Sequence, residues 1–120
     1  MLSNHTKGYI VEWWVRIVVR IKGYIPVAHR YRSPYGEIDL IYIHGRTLVF
    51  IEVKYRWQRQ DALCALTDHQ RRRIARAANY FRAHHYVLGL KDMRVDEYMC
   101  WGLGFWVHYR NTSQMEENTP

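Results

Sequence analysis

The sequence contains few cysteines, and they are not arranged to bind a metal. Cys64 and Cys100 are the only two among 120 residues, and they form no Cys-x-x-Cys pair. A small secreted domain held by disulfides would need more of them, so we expect two free thiols in a reducing compartment. The seven histidines show no zinc-ligand spacing, so a structural zinc site is not expected.

No apolar run is long enough to cross a membrane. The apolar N-terminal region is interrupted by Glu12, Arg16, Arg20 and Lys22, and it meets the requirements of neither a spanning helix nor a signal sequence. We therefore predict no membrane partner and a cytoplasmic location.

Acidic residues are also scarce. The chain has 11 Asp and Glu against 18 Lys and Arg, which gives a formal net charge of +7. A basic chain of this size favours polyanionic partners such as DNA, RNA or anionic lipid. With 48% apolar residues it should form one core. We assign residues 1–110 to a single domain and predict that the polar tail, residues 111–120, is disordered.

The most informative segment is a pair of apolar runs interrupted by charges. Residues 38–43 and 47–53 are rich in Ile, Leu, Val and Phe, which favour strands. A two-residue type II′ turn at Gly45-Arg46 would set Asp39 opposite Glu52. A three-residue turn would shift the register and place the two acids on opposite faces.

Two acids held side by side repel each other, so they take up a proton or bind a cation between them. Their oxygen atoms suit Mg²⁺ or Mn²⁺. Lys54 follows Glu52 by two residues and points to the same face, where an ammonium group could orient a water or stabilise negative charge. The alternative is an ordinary charge cluster at a sheet end. Apolar residues on both strand faces, with Ile38 and Leu40 assigned to the same one, favour a central hairpin covered by helices instead.

The first helix is predicted from a stripe of apolar residues at helical spacing. These are Ile10, Trp13, Trp14, Ile17, Val18 and Ile21. The pattern predicts about 14 residues of helix that bury this stripe, both tryptophans included. On its other face, Glu12 either belongs to a solvated ladder with Arg16 and Arg20 or reaches the acids as an outer ligand.

A second helix is predicted from Thr67, which forms a capping box with Gln70, to about His84. Gln70 either completes this cap or points toward the acids. Basic residues on this helix and in the loop before it either face solvent or contact phosphates. They are Arg56, Arg59, Arg71, Arg72, Arg73 and Arg76.

The remaining segments complete an α/β pattern. An edge strand is predicted at residues 24–32, and two further strands at residues 93–100 and 105–110. The order is helix, three strands, helix, two strands, which predicts a mixed sheet flanked by helices.

The hairpin also carries a resemblance to a known family. Its segments read GEIDLI at residues 36–41 and LVFIEVKYR at residues 48–56, followed by QRRRI at residues 70–74 and RVD at residues 94–96. In this order and spacing they resemble the small bacterial YraN family of uncharacterised proteins. That family is similar to the PD-(D/E)XK nuclease superfamily, including archaeal Holliday-junction resolvases.

The resemblance implies roles for five residues. Asp39 and Glu52 would be metal ligands and Lys54 the catalytic lysine. Glu12 would match the acidic residue of the first helix, a further metal ligand, and Gln70 the polar residue of the later helix. The loop at residues 57–62 lacks the Gly and Phe that are common in relatives, so substrate contacts there should differ.

The resemblance further implies a restriction-endonuclease-like fold that uses Mg²⁺ or Mn²⁺ to hydrolyse phosphodiester bonds in DNA rather than RNA. Junction-cutting relatives are often dimers, so it also allows a homodimer. The alternative is a non-catalytic nucleic-acid-binding module that keeps the nuclease fold. Attachment to an anionic membrane surface through the first helix is disfavoured, because the stripe predicts that Trp13 and Trp14 are buried.

Overall fold

The computed structural model describes residues 4–85 and 92–110, with side chains from Gly8 onward. The predicted disordered tail, residues 111–120, lies outside the described residues. The chain forms α1 (Asn4–Ile21), β1 (Ile25–Ser33), β2 (Gly36–His44), β3 (Thr47–Arg56), α2 (Arg59–Leu63), α3 (Asp68–His84), β4 (Asp92–Trp101) and β5 (Phe105–Tyr109). No helix in this part of the chain is long and apolar enough to span a bilayer.

The five strands form one mixed sheet in the order β1-β2-β3-β4-β5. β3 and β4 run parallel, and the other neighbours are antiparallel. A parallel pair needs a crossover connection, which α2 and α3 supply. The predicted mixed α/β architecture is confirmed, and so is the position of β1 at an edge.

Helices cover both faces of the sheet, each over its own apolar cluster. The α3 face buries Ile38, Ile41, Leu48, Phe50, Ile74, Ala77, Ala78 and Phe81, among others. The α1 face buries Val15, Val19, Tyr24, Leu40, Val49, Ile51 and Tyr98, among others. The β2–β3 hairpin lies between these layers, so its apolar residues on both faces are buried, as predicted.

The assignment of Ile38 and Leu40 to the same face was wrong. Ile38 joins the α3 cluster and Leu40 the α1 cluster. Beside them on β1, Arg30 adopts φ 53°, in the left-handed region that few non-glycine residues occupy. Strict alternation of side chains fails at this irregular point in the sheet, and this is where the acids lie.

The predicted buried stripe of α1 was also wrong. Trp13 is 62% exposed and Trp14 46% exposed, whereas Val15 and Val19 are buried. A second apolar stripe of this helix, which includes Val15 and Val19, also has helical spacing. The narrower valines lie against the sheet, and the bulkier tryptophans face outward. The helix also begins earlier than predicted, at Asn4.

The sequence predictions were correct for the Gly45-Arg46 turn and for the start of α3. Gly45 has φ 63°, as the first turn position of a type II′ hairpin requires. The predicted register holds from His44 opposite Thr47 to Leu40 opposite Ile51. Thr67 and Gln70 form the predicted capping box, and a short helix, α2, lies in the loop before it.

Candidate active site

The two acids meet where the β2–β3 backbone ladder ends. Beyond the Leu40–Ile51 pair, side chains take the place of backbone carbonyls. The Asp39 N–H donates to Glu52 Oε1 at 3.2 Å, and the Val53 N–H donates to Asp39 Oδ2 at 2.8 Å. Each carboxylate is therefore held by the backbone of the strand opposite, which brings the two acids together as predicted.

The acids lie at the junction of two clefts rather than in a single pocket. Asp39 lines the larger cleft, about 810 Å³, together with Glu12 and Val53. Glu52 lines a smaller cleft of about 170 Å³ beside α3. Lys54 lines both clefts, so its position two residues after Glu52 places an ammonium group between them.

Burial makes the negative charge of this pair costly. Burial, with the charge of Glu12 adding to it, raises the pKa of Asp39 to about 6, although the Val53 hydrogen bond and Lys54 partly oppose it. Burial also raises the pKa of Glu52 well above its usual range, and the neighbouring Asp39 raises it further. The pair thus favours a shared proton or a bound cation.

Glu12 belongs to this site and not to a solvated ladder on α1. Its side chain is 14% exposed and forms an ion pair with Arg30 of β1 at 3.4 Å. It lines the larger cleft with Asp39. The predicted ladder with Arg16 and Arg20 was therefore wrong for Glu12, since burial directs its carboxylate to the sheet.

The residues present supply a small set of metal ligands. Within residues 4–85 and 92–110, no three His, Cys, Asp or Glu side chains lie close enough together to hold a metal ion. Asp39 and Glu52 remain as the candidate first ligands, and Glu12 is engaged by Arg30. Mg²⁺ usually binds one or two carboxylates and keeps several waters, so the pair fits that ion.

Gln70 has the predicted position at the start of α3 and lines the smaller cleft with Glu52. Its Oε1 accepts a hydrogen bond from the Thr67 N–H at 2.9 Å. The capping role is confirmed. Because the oxygen is engaged in the cap, the amide nitrogen is the group that Gln70 can present to the cleft.

The predicted phosphate-contacting arginines differ in availability. Five of them are exposed: Arg56, Arg59, Arg72, Arg73 and Arg76. Arg71 is engaged in the fold, because its Nε and a terminal nitrogen donate to Glu97 at 2.7 and 3.1 Å. A phosphate contact by Arg71 would have to compete with this buried ion pair.

Sequence reasoning missed two buried acids in β4. Asp96 and Glu97 are both fully buried. Glu97 pairs with Arg71, and Asp96 contacts Arg94 at 3.1 Å and His108 at 2.8 Å. The signal was two adjacent charges in a strand, because charges in a buried strand require partners.

Fold and site together define a small mixed α/β protein with a lysine and two neighbouring acids at the end of its central hairpin. The chain belongs to the uncharacterised protein family UPF0102, whose family model matches residues 11–98. It is 37% identical over 94 residues to a UPF0102 protein of Methylorubrum extorquens, and this match covers 78% of this chain and 73% of that protein. It is also 42% identical over 90 residues to one from Maricaulis maris, covering 75% and 71% of the two chains.

Proposed function

We propose that this protein is a metal-dependent nuclease with a restriction-endonuclease-like fold that hydrolyses phosphodiester bonds in DNA. The observation that carries the proposal is the reciprocal bonding of Asp39 and Glu52 next to Lys54. Burial raises the pKa of both acids, so the fold offsets only part of the cost of their negative charge. A divalent cation would compensate it. The sequence resemblance to PD-(D/E)XK nucleases supports the same assignment.

The proposal gives each residue a role that fits its position. Asp39 and Glu52 would hold the ion, and a bound Mg²⁺ would polarise the phosphate and lower the pKa of a water. The Lys54 ammonium, between the two clefts, would position the attacking water or neutralise charge as the bond breaks. Glu12 would act at a distance by fixing Arg30 at the cleft wall.

The basic surface would hold the substrate. Arg72, Arg73 and Arg76 are exposed on α3, and Arg73 also lines the smaller cleft. Contacts from such residues to DNA phosphates are independent of base sequence and weaken with salt. They would position the backbone near the acids without selecting a sequence.

The decisive test is cleavage of labelled duplex, branched and single-stranded DNA in Mg²⁺ or Mn²⁺, with EDTA as the blank. Wild type should cut at least one substrate, and Lys54→Ala should lose activity while it keeps the wild-type circular dichroism spectrum. Full activity in Lys54→Ala would reject the assignment.

The second candidate is a DNA-binding module that has lost catalysis. It is favoured by the absence of a cluster of three ligands among the described residues. Calorimetric titration with Mn²⁺ separates the two. No binding at millimolar Mn²⁺ would favour the module, and binding that is lost in Glu52→Gln would favour the enzyme.

A further inference from the structure

A second groove adjoins the larger cleft, and aromatic side chains dominate it. It has a volume of about 600 Å³ and lies between α1, the segment after β3 and the β4–β5 turn. The exposed residues that form it include Ile10, Trp14, Trp57, Leu103, Phe105 and Trp106. Trp57 is 59% exposed and Phe105 62% exposed. A contiguous exposed apolar surface of this kind usually marks a binding site.

The groove is continuous with the candidate active site. Tyr55 and Trp57 line both the groove and the cleft that contains Asp39. The wall they form is fixed, because the Tyr55 hydroxyl donates to the Gly102 carbonyl at 2.7 Å and the Gly102 N–H donates to the Trp57 carbonyl at 3.0 Å. A ligand in the groove would therefore lead directly to the cleft that contains Asp39.

Cationic groups lie at the edges of this surface. Arg56 lines the adjoining cleft, and the Arg59 guanidinium lies 5.7 Å from the centre of the Trp101 ring. In the cleft, the Arg30 guanidinium lies 3.9 Å from the centre of the Tyr9 ring. Aromatic rings beside arginines, on a chain with a net charge of +7, match the requirements of unpaired nucleotides. Bases stack on the rings, and phosphates contact the cations.

We propose that the groove binds the unpaired bases of a single-stranded DNA segment and leads its backbone to Asp39 and Glu52. This inference rests on the proposed function and specifies its substrate class as DNA with a single-stranded segment beside the scissile bond. A duplex cannot use the groove in the same way, because its bases are already stacked on one another and paired.

The test measures binding in EDTA, so that it does not depend on cleavage. Fluorescence anisotropy with labelled oligothymidine should show about 5- to 150-fold weaker binding for Trp57→Ala and for Trp106→Ala, the loss expected for one stacked base. Affinity for a blunt duplex should change by less than about twofold. The matched control is Trp13→Ala, which removes a tryptophan about as exposed as Trp57 from the same helix as Trp14 but outside the groove. It should bind like wild type.

A second measurement needs no variant and covers the case in which an alanine variant fails to fold. Photo-crosslinking of wild type to an iodouridine-containing single strand should label Trp57, Phe105 or Trp106 and leave Trp13 unlabelled. Labelling confined to residues outside the groove would overturn the proposal, as would wild type that does not bind oligothymidine.

Other occupants of the groove would give different results. If the groove variants only convert a dimer to a monomer in size-exclusion chromatography with light scattering, the occupant is a second copy. If they only abolish sedimentation with vesicles of anionic phospholipid, the occupant is a lipid surface. Either outcome with unchanged oligothymidine affinity overturns the proposal. If oligothymidine binding depends on the groove but no metal-dependent cleavage is found, the nuclease assignment is rejected and the single-strand binding site is retained.

Discussion

Asp39 and Glu52 each fix the other's strand: the Asp39 N–H donates to the Glu52 carboxylate, and the Asp39 carboxylate accepts from the N–H of Val53, the residue after Glu52. The acids are thus structural and chemical at once. Alanine at either position removes a backbone partner as well as a charge, so experiments need variants that separate the two effects.

Asp39→Asn and Asp39→Ala should differ in stability and agree in activity. Asparagine keeps an oxygen that can accept from the Val53 N–H but removes the costly charge, so at pH 8 without metal it should stabilise the fold by up to about 3 kcal/mol. Alanine leaves that N–H without its acceptor, which costs about 1–3 kcal/mol. Both should abolish cleavage. Urea unfolding in EDTA gives the free energies.

The exposed acid Glu37 provides the control for this comparison. Its carboxylate pairs with the solvent-exposed Arg32 at 3.4 Å, and such pairs contribute little. Glu37→Gln should therefore change the free energy of unfolding by less than about 0.5 kcal/mol. If Asp39→Asn is no more stable than wild type, the charge is not costly and the raised pKa is wrong.

The stability of the metal-free protein should depend on pH through Asp39. Its folded pKa of about 6 lies above the usual value of 3.8, so between these pH values the folded chain holds a proton that the unfolded chain has released. Stability from this group is therefore present at low pH and lost as pH rises through about 6. The difference in unfolding free energy between wild type and Asp39→Asn reports this contribution together with the effect of Asp39 on Glu52, and it should change across that window.

Metal binding should show the opposite pH dependence. Because a bound ion displaces the proton, Mn²⁺ affinity should increase as pH rises through 6. Calorimetry at several pH values in two buffers of different ionisation enthalpy would count the protons released. Affinity that is constant from pH 5 to pH 7 would be incompatible with binding to this pair.

Alanine substitutions of Arg71 and Arg72 should distinguish an arginine that stabilises the fold from one that contacts phosphates. Arg71→Ala leaves the fully buried Glu97 without its partner and should cost about 3–5 kcal/mol of stability. Arg72→Ala, at an exposed position, should leave stability within about 0.5 kcal/mol. It should lower DNA affinity and reduce the slope of log affinity against log salt by about 1. Chemical unfolding measures the change in stability, and fluorescence anisotropy at several salt concentrations measures DNA affinity and its salt dependence. A stable Arg71→Ala protein would refute the structural role.

Gln70→Glu tests whether Gln70 does more than cap α3. Glutamate completes a capping box as well as glutamine does, so the free energy of unfolding should stay within about 0.5 kcal/mol of wild type. The substitution turns an amide donor into a carboxylate beside Glu52, and we expect cleavage to fall by at least about tenfold. Thr67→Ala is the matched control: it should lose about 1 kcal/mol of stability and keep activity per folded molecule. Wild-type activity in Gln70→Glu would show that Gln70 acts only as part of the α3 cap.

The features that the sequence predicted are set by short-range rules. The Gly45-Arg46 turn fixes the register of the hairpin that carries both acids, and Thr67 with Gln70 fixes the start of α3. Lys54 follows from the two-residue period of a strand. The outward orientation of Trp13 could not be read in this way, because two apolar stripes of α1 have helical spacing and only the shape of the sheet surface selects between them.

Ion pairs between separate helices and strands could not be predicted from the sequence either. Arg71 binds Glu97 of β4, and Glu12 of α1 binds Arg30 of β1. Each pair joins separate elements, so its existence depends on how the helices pack. Arg30 also adopts a left-handed backbone that no local pattern predicts.

The parallel pairing of β3 with β4 has a consequence for how the protein folds. β2 and β3 are joined by a two-residue turn, and closing so short a loop takes little entropy. β4 can pair with β3 only after the connection that contains α2 and α3 has crossed over. Such a contact between residues distant in sequence forms slowly. We expect the hairpin bearing Asp39 and Glu52 to assemble early on the folding pathway. The burial that perturbs both acids would come later, so a pulse of hydrogen exchange during refolding should protect the amides of β2 before those of β4.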